Sequence, residues 1–132
     1  MKDIFQKLLD EAKEARLKAY APYSKFTVGS AVLTEDGTIF TGCNIENVSL
    51  GLSICAERVA IFKAVADGYK NIKAIAIIGD TEEPCSPCGA CRQVMVEFSP
   101  NMDVIMSNLQ NKIKIIKAIE LLPDAFTGFN IN

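Results

Sequence analysis

The stretch IKAIAIIG, at residues 72–79, is the strongest constraint on the fold of this chain. It is short, rich in β-branched residues and apolar at nearly every position, so a strand formed here would be apolar on both faces. Such a strand belongs at the centre of a sheet that is covered on both sides. The chain is therefore expected to fold around a sheet packed against helices.

Helix-like and strand-like segments alternate along the rest of the chain. Apolar residues at helical spacing predict an amphipathic helix over 3–19, and the Asp-Gly turn in TEDGT joins the strands FTVGSAVL and TIFTGCNIE into a hairpin. A helix is predicted over 54–66; it is apolar nearly all round and is therefore expected to be buried on most sides. The later predicted elements are a helix over 88–98, strands at DVIMSN and KIKII, and a short helix at AIELL. This order favours a layered α/β sandwich, and the hairpin makes part of the sheet antiparallel.

Length, composition and charge exclude several classes of protein. The 132 residues suit one domain over 1–132, and 49% hydrophobic against 23% charged residues argue against disorder. The net charge of -2 offers no basic surface for a nucleic-acid polymer. No apolar run approaches the ~20 residues of a membrane span, and the N-terminus does not look like a signal peptide. We therefore expect a cytoplasmic protein with no membrane or polynucleotide partner.

Three of the five cysteines are spaced as ligands of one metal ion. Cys88 and Cys91 are three residues apart and share a face if they stand in the first turn of their helix. Cys55 begins the helix over 54–66 and supplies a third thiol. Three ligands with one open position are the pattern of a catalytic zinc, whereas a structural zinc normally has four protein ligands. The chain has no histidine, so the site must be built without imidazole.

Two kinds of charged residue accompany these cysteines. Glu57 follows Cys55 by two residues, and side chains two apart in a helix point about 200° away from each other. Both can face one metal only if Cys55 stands at the very N-terminus of its helix. Three thiolates and Zn²⁺ carry a net negative charge, which helix N-termini and a cation would offset. We expect Arg58 or Arg92, foremost Arg58, to donate to a ligand sulfur.

Other interpretations of the cysteines remain open on residue chemistry alone. Cys-x-x-Cys also occurs in thiol redox modules and in the structural zinc sites of interaction domains. In a structural site, Cys85 would be the obvious fourth ligand. Cys43 is most simply a small apolar filler at a strand end. An odd number of cysteines without a secretion signal argues against a disulfide framework.

Two motifs, CAE at residues 55–57 and PCGAC at residues 87–91, together form a signature of zinc deaminases. With them, the chain resembles the cytidine deaminases of the small homotetrameric type. The blocks YAPYSKFTVGSAV, GCNIEN, CAERVAIFKAV, SPCGACRQVMVEF and ELLPDAF are also similar and stand in family order. The resemblance covers nearly the whole chain.

This resemblance implies a three-layer α-β-α sandwich with a mixed five-stranded sheet, and one Zn²⁺ per subunit on Cys55, Cys88 and Cys91. It also assigns the remaining site residues. Phe26 would be the aromatic against the pyrimidine and sugar, and Asn44 and Glu46 the pair on the ribose 3′-hydroxyl. The backbone N–H of Ala56 would bind the base edge with carbonyls near Ser86 and Pro87. Glu57 would be the general acid and base, and Phe126 an aromatic that reaches a neighbouring subunit.

The implied reaction is hydrolytic deamination of cytidine and 2′-deoxycytidine to uridine and 2′-deoxyuridine, in pyrimidine salvage. A zinc-bound hydroxide would attack C4 while Glu57 moves protons to N3 and to the departing ammonia. The family also implies a homotetramer with active sites at subunit interfaces. A related deaminase would act on a nucleoside antibiotic such as blasticidin or on cytosine in a polynucleotide, but Asn44, Glu46 and the LLPDAF segment favour a free nucleoside.

Two positions depart from the family pattern. Leu50 stands where a tyrosine is common, five residues before the first proposed zinc ligand, so any contact through that hydroxyl is lost. Val48 is bulkier than the alanine that is frequent there, which would narrow the pocket.

Overall fold

A five-stranded mixed sheet is the central layer of the structure, a computed structural model that describes residues 3–128. The strands are β1 (Val28–Thr34), β2 (Ile39–Cys43), β3 (Ile72–Gly79), β4 (Asp103–Asn108) and β5 (Ile113–Lys117), in the order β2-β1-β3-β4-β5. β3 and β4 run parallel, and the other neighbouring pairs are antiparallel. The mixed five-stranded sheet expected from the sequence is confirmed.

Helices cover both faces of this sheet. They are α1 (Asp3–Arg16), α2 (Ala56–Ala66) and α3 (Gly89–Phe98), with short 3₁₀ turns at Leu50–Leu52 and Ala118–Leu121. α1 packs on one face of the sheet, and α2 and α3 pack on the other. The three-layer α-β-α arrangement is therefore confirmed. Within residues 3–128, none of the helices has the length and apolar character needed to cross a membrane.

β3 is buried on both faces because its side chains alternate between two apolar cores. Ala74, Ala76 and Ile78 belong to the core with α1. Ile75 and Ile77 belong to the core with α2 and α3. This alternation is why the run at 72–79 is apolar at both odd and even positions.

Gly42 in β2 lets α2 lie close to the sheet. A Cβ atom at Gly42 would overlap the carbonyl oxygen of Ala56 and would lie 2.6 Å from the backbone N of Ala60. Such overlaps with backbone atoms cannot be relieved by rotating a side chain. Because Gly42 has no side chain, the first turn of α2 can lie directly against β2.

Several element boundaries differ from the sequence predictions. α1 ends at Arg16 and not at residue 19, because the chain there passes into a series of turns. β1 begins at Val28, which leaves Phe26 in the preceding loop. The helix over 54–66 is not buried on most sides, because Phe62 is 42% exposed while the buried residues share the opposite face.

Candidate active site

Three cysteine sulfur atoms meet where α2 and α3 begin. Cys55 is the N-cap residue of α2 and Cys88 is the N-cap residue of α3, both with extended backbone dihedrals. Cys91 lies in the first turn of α3 and is fully buried. The Sγ atom of Cys88 is 3.7 Å from Sγ of Cys55 and 3.5 Å from Sγ of Cys91. Cys55 therefore stands at the helix N-terminus, as the sequence predicts, and both helices begin at the cluster.

The geometry of the three sulfurs fits a tetrahedral zinc ion. Zn–S bonds of about 2.3 Å place two sulfurs about 3.8 Å apart at the tetrahedral angle, close to the distances above. All three Sγ atoms lie within 4.8 Å of one another, and no other His, Cys, Asp or Glu side chain among residues 3–128 joins them. Cys85 is thus not part of the cluster. The donor set leaves one coordination position open.

Arg58 brings a positive charge to this cluster. Its Nη2 donates to Sγ of Cys55 across 3.5 Å, while its buried Nε has no partner among the described residues. Hydrogen bonds from the Cys91 thiol and from Arg58 lower the pKa of Cys55 to about 5. The pKa of Cys91 is raised, because its proton is held by the hydrogen bond to Cys55 and because the thiol is buried. Of these two thiols, Cys55 is therefore the one that ionises first.

Arg92 has a different set of partners. Its Nε donates to the carbonyl oxygen of Pro87 and its Nη1 to the carbonyl oxygen of Leu121, each across 2.9 Å. Arg92 thus ties the turn before Cys88 to the 3₁₀ turn at Ala118–Leu121. Of the two arginines considered in the sequence, Arg58 is the one that donates to a sulfur.

The Glu57 carboxyl is buried next to Cys55, with 4% of the residue exposed. Burial is the main reason that the pKa of Glu57 is raised to about 7, and the negative charge of Cys55 adds to this effect. A carboxyl that titrates near neutral pH can both accept a proton and return it. Because Cys55 has non-helical dihedrals, its sulfur and the Glu57 carboxyl both reach one cavity.

This cavity has a volume of about 200 Å³ and opens beside the sulfur cluster. It is lined by Phe26, Val28, Asn44, Cys55, Ala56, Glu57, Cys85, Ser86 and Cys88. Six of the site residues predicted from the sequence are in this lining. The other four, Glu46, Arg58, Cys91 and Phe126, lie outside it. Of the two carbonyl positions expected at the base edge, Ser86 lines the cavity and Pro87 does not.

The Asn44 side chain holds the backbone on both sides of residue 27. Its Nδ2 donates to the carbonyl oxygen of Phe26, and its Oδ1 accepts from the backbone N–H of Val28, both across 2.8 Å. Asn44 therefore positions Phe26 at the mouth of the cavity. An amide oxygen has two lone pairs, so Oδ1 keeps one for a further donor.

The Glu46 carboxylate holds the turn that precedes Phe26. Its Oε1 accepts from the backbone N–H groups of Tyr23 and Ser24 across 3.0 and 3.1 Å, and its Oε2 accepts from the Ser24 hydroxyl. The hydrogen bond with the Ser24 hydroxyl is the main reason that the pKa of Glu46 is lowered. The same turn contains Lys25 in the left-handed region, with φ of 64°, which is uncommon for a residue with a side chain.

Phe126 lies on the surface and not in the cavity of its own chain. The residue is 61% exposed, and its carbonyl oxygen accepts from Nε2 of Gln93 across 2.8 Å. Val48 and Leu50, the two departures from the family pattern, are also mostly exposed. The contact of Phe126 with a neighbouring subunit stays a prediction.

Asn108 is a buried residue that was not among those predicted for the site. Its Nδ2 donates to the carbonyl oxygens of Thr81 and Glu82 across 3.0 and 2.9 Å. Its Oδ1 accepts from two backbone N–H groups of the β4–β5 turn. Asn108 thus joins that turn to the loop that leads from β3 to Cys88. The only sequence signal was a polar residue at the end of the apolar run DVIMSN.

A larger groove of about 730 Å³ lies at the opposite end of the sheet, where β3 and β4 begin. Its lining includes no cysteine. Ligands of parallel α/β sheets bind beyond the carboxyl ends of the strands. Those ends are at Gly79 and Asn108, on the side of the sulfur cluster. The 200 Å³ cavity is therefore the better candidate for catalysis.

Comparisons with known proteins relate this site to one family. The family model of the cytidine and deoxycytidylate deaminase zinc-binding region matches residues 2–107. The cytidine deaminase of Sporosarcina psychrophila is 54% identical over 123 residues, which cover 92% of this chain and 90% of that protein. The cytidine deaminase of Halalkalibacterium halodurans is 52% identical over 128 residues, which cover 96% and 97%.

Solved structures of cytidine deaminases have the same fold. The enzyme from Burkholderia pseudomallei superposes with a TM-score of 0.91 at 51% identity, covering 96% of this chain and 100% of that chain. The enzyme from Mycobacterium tuberculosis superposes with a TM-score of 0.80 at 36% identity, covering 96% and 98%. The three clustered cysteines and the buried glutamate all fall within the matched zinc-binding region. The chain therefore belongs to the family of cytidine and deoxycytidylate deaminases, as a hydrolase whose cofactor is zinc.

Proposed function

We propose that this enzyme hydrolyses cytidine and 2′-deoxycytidine to uridine and 2′-deoxyuridine, with release of ammonia. The observation that supports this most is a buried carboxyl and a cluster of three sulfurs at one small cavity. A metal site with an open position and a proton-transfer group beside it are the two parts that hydrolytic deamination requires.

The proposed ligands of one zinc ion per subunit are Cys55, Cys88 and Cys91. When bound, zinc supplies an activated water molecule as the nucleophile. Three thiolates would leave the centre with excess negative charge, which makes a water harder to deprotonate. Arg58, through its hydrogen bond to Cys55, and the N-termini of α2 and α3 offset that charge.

Glu57 is the proposed proton shuttle. Its carboxylate would take the first proton of the attacking water and deliver it to N3 of the cytosine ring as C4 is attacked. It would then take the second proton, from the hydroxyl now on C4, and give it to the departing amine, which leaves as ammonia. Burial supports this role, because it brings the pKa of Glu57 to about 7 and so balances the two protonation states.

The base and the sugar have different proposed partners. The backbone N–H of Ala56 has no acceptor within its own helix, because it belongs to the first turn, and it is free to bind the base edge with the Ser86 carbonyl. Phe26 would pack against the pyrimidine and the sugar. Asn44 and Glu46 would bind the 3′-hydroxyl with their remaining lone pairs. Because the 2′-hydroxyl has no assigned partner, the deoxynucleoside should also be a substrate.

A homotetramer with active sites at subunit interfaces is part of the proposal. A cavity of about 200 Å³ is smaller than the ~300–1,000 Å³ of most ligand pockets, so another subunit would be needed to complete it. Large apolar side chains at Val48, Leu50, Phe62 and Phe126 are exposed on the single chain. Phe126 would reach the site of a neighbour.

The proposed setting is pyrimidine salvage in the cytoplasm. All five cysteines are free, as expected in a reducing compartment. The net charge of -2 does not favour a polynucleotide substrate.

One combined experiment tests this function. Zinc per chain is measured by elemental mass spectrometry, and turnover of cytidine, 2′-deoxycytidine and single-stranded DNA is followed by ultraviolet absorbance. The expected result is one zinc per chain, turnover of both nucleosides and none of the DNA. A full equivalent of zinc with no nucleoside turnover would indicate a structural metal. Thiol oxidoreductase activity in metal-free protein would indicate a redox module.

A further inference from the structure

Gly79, Cys85 and Phe26 form a wall at one side of the cavity, here called the Gly79 wall. A Cβ atom at Gly79 would lie 3.1 Å from Sγ of Cys85 and 3.2 Å from Cζ of Phe26. The thiol and the edge of the phenylalanine ring therefore both rest on the bare backbone of Gly79. Cys85 and Phe26 also both line the cavity. Their distance from Gly79 thus decides how far the wall extends into the cavity.

The backbone behind the Gly79 wall is fixed by hydrogen bonds. The N–H of Cys85 donates to the carbonyl oxygen of Ser107 across 2.9 Å, which ties it to β4. Asn108 binds the loop just before Cys85 through two carbonyl oxygens. Asn44 binds the Phe26 carbonyl from the other side of the wall. The backbone that carries the wall therefore cannot retreat from a larger ligand without breaking these bonds.

The chemistry of the other lining residues indicates which part of a cytosine ring meets this wall. The N3 and amino groups of the ring need polar partners, and Glu57, Ala56 and Ser86 offer them. The C5 and C6 positions carry only hydrogen on carbon and need apolar partners. Apart from Ala56 and the clustered cysteines, the lining residues with apolar side chains are Phe26, Val28 and Cys85. One or more of these three should therefore meet C5 and C6.

C5 is bonded to C4, the atom that must approach the sulfur cluster. A substituent at C5 therefore lies at the end of the cavity closest to that cluster. Cys85 is separated from Cys88 by only Ser86 and Pro87. Of Phe26, Val28 and Cys85, it is the one closest in sequence to a cysteine of the cluster.

We propose that the Gly79 wall contacts C5 of the bound cytosine and that Cys85, seated on Gly79, determines which 5-substituted cytosine nucleosides are substrates. This inference rests on the proposed function, because it requires the base to bind with C4 at the cluster. Cys85 is here a specificity residue and takes no part in metal binding or proton transfer. Cys85 is a free thiol with only 7% of the residue exposed, and it fills space as a small apolar side chain.

Variants of the wall should change specificity in opposite directions. Cys85→Ala removes the sulfur and opens room beside C5. Cys85→Val adds volume at the same place. Gly79→Ala leaves the thiol unchanged but places a methyl group under it, so that Sγ and the Phe26 ring shift towards the cavity by a few tenths of an ångström. Cys43→Ala is the matched control, because this partly buried thiol at the end of β2 does not line the cavity.

The test measures kcat/KM for cytidine, 5-methylcytidine and 5-bromocytidine in the zinc-loaded protein and in each variant. The ratio of the 5-substituted value to the cytidine value should rise about tenfold in Cys85→Ala, since one methylene in an apolar pocket changes discrimination by about 10–200-fold. The ratio should fall several-fold in Cys85→Val and Gly79→Ala and stay unchanged in Cys43→Ala.

The outcomes separate the two proposals. Turnover of cytidine with the same ratio in Cys85→Ala and wild type would overturn the Gly79 wall and leave the proposed function intact. If Cys85→Ala does not fold, an unchanged ratio in Cys85→Val overturns the inference equally well. Absence of cytidine turnover in the zinc-loaded wild type would overturn both.

Discussion

The guanidinium Nη2 of Arg58 donates to Sγ of Cys55 across 3.5 Å, and the two residues lie three positions apart at the start of α2. This hydrogen bond places the permanent positive charge of a guanidinium beside the sulfur cluster. Together with the hydrogen bond from Cys91, it lowers the pKa of Cys55 to about 5. A cluster with no imidazole, built from three thiols, thus has one sulfur that is already ionised at neutral pH.

Replacing Arg58 with Gln should weaken zinc binding at neutral pH. The charge-assisted hydrogen bond to Cys55 is lost, so its pKa rises and a proton competes with the metal. Hydrogen bonds to charged groups contribute about 1.5–3 kcal/mol, so we expect zinc affinity to fall by about tenfold or more. Competition with a chromophoric chelator measures this. Arg16→Gln is the control, because the Arg16 guanidinium donates to the Thr27 carbonyl oxygen and not to a sulfur. Equal affinity in Arg58→Gln and wild type would contradict the assigned role.

Replacing Cys88 with Ala should remove zinc from the protein. Cys88 lies between the other two sulfurs, at 3.7 and 3.5 Å, and two thiols alone bind the metal weakly. Elemental analysis after gel filtration should find almost no zinc in this variant. Cys85→Ala and Cys43→Ala should each keep a full equivalent. Zinc retained by Cys88→Ala, or lost from Cys85→Ala, would show that the ligand set is different.

Replacing Glu57 with Gln should keep the fold and the zinc but remove most of the turnover. The amide preserves the shape of the carboxyl, yet it neither accepts nor releases a proton near neutral pH. General acid–base catalysis contributes about 10²–10⁴-fold, so kcat should fall by about that factor. Steady-state kinetics with cytidine, alongside zinc analysis, checks this prediction. Glu83→Gln is the control, since this exposed carboxylate pairs with Lys112 on the surface. Near-normal turnover in Glu57→Gln would exclude the shuttle role.

Replacing Gly42 with Ala should destabilise the protein. The added methyl group would overlap the Ala56 carbonyl oxygen and approach the backbone N of Ala60, so α2 must move away from β2. Overpacking of this kind costs about 1–3 kcal/mol. We expect a lower thermal midpoint at fixed protein concentration, and a raised KM because Ala56 and Glu57 move with the helix. Gly51→Ala, where a Cβ meets no atom within 4 Å, should melt as wild type does. Identical melting of Gly42→Ala and wild type would show that α2 accommodates the methyl group.

Local patterns in the chain were sufficient to predict most of the architecture. The doubly apolar run at 72–79 became β3, buried between two cores, because the period of a strand sends neighbouring side chains to opposite faces. The Asp-Gly signal became the β1–β2 turn, with Gly37 at positive φ. The spacing of Cys55 and Glu57 required Cys55 at a helix N-terminus, and the structure has it there.

Only the tertiary structure decided which distant groups share the cavity. The sulfur of Cys55 meets that of Cys88 across 33 positions of the chain, and the carboxyl end of β4 supplies Asn108 and the Ser107 carbonyl to the loop that carries Cys85. The hydrogen bond from Arg92 to the Leu121 carbonyl oxygen, the exclusion of Cys85 from the cluster and the exposure of Phe62 likewise depend on neighbours far away in sequence. The physical reason is range: periodicity, caps and turns act within a few residues, whereas burial and close approach arise when the sheet brings separate segments together.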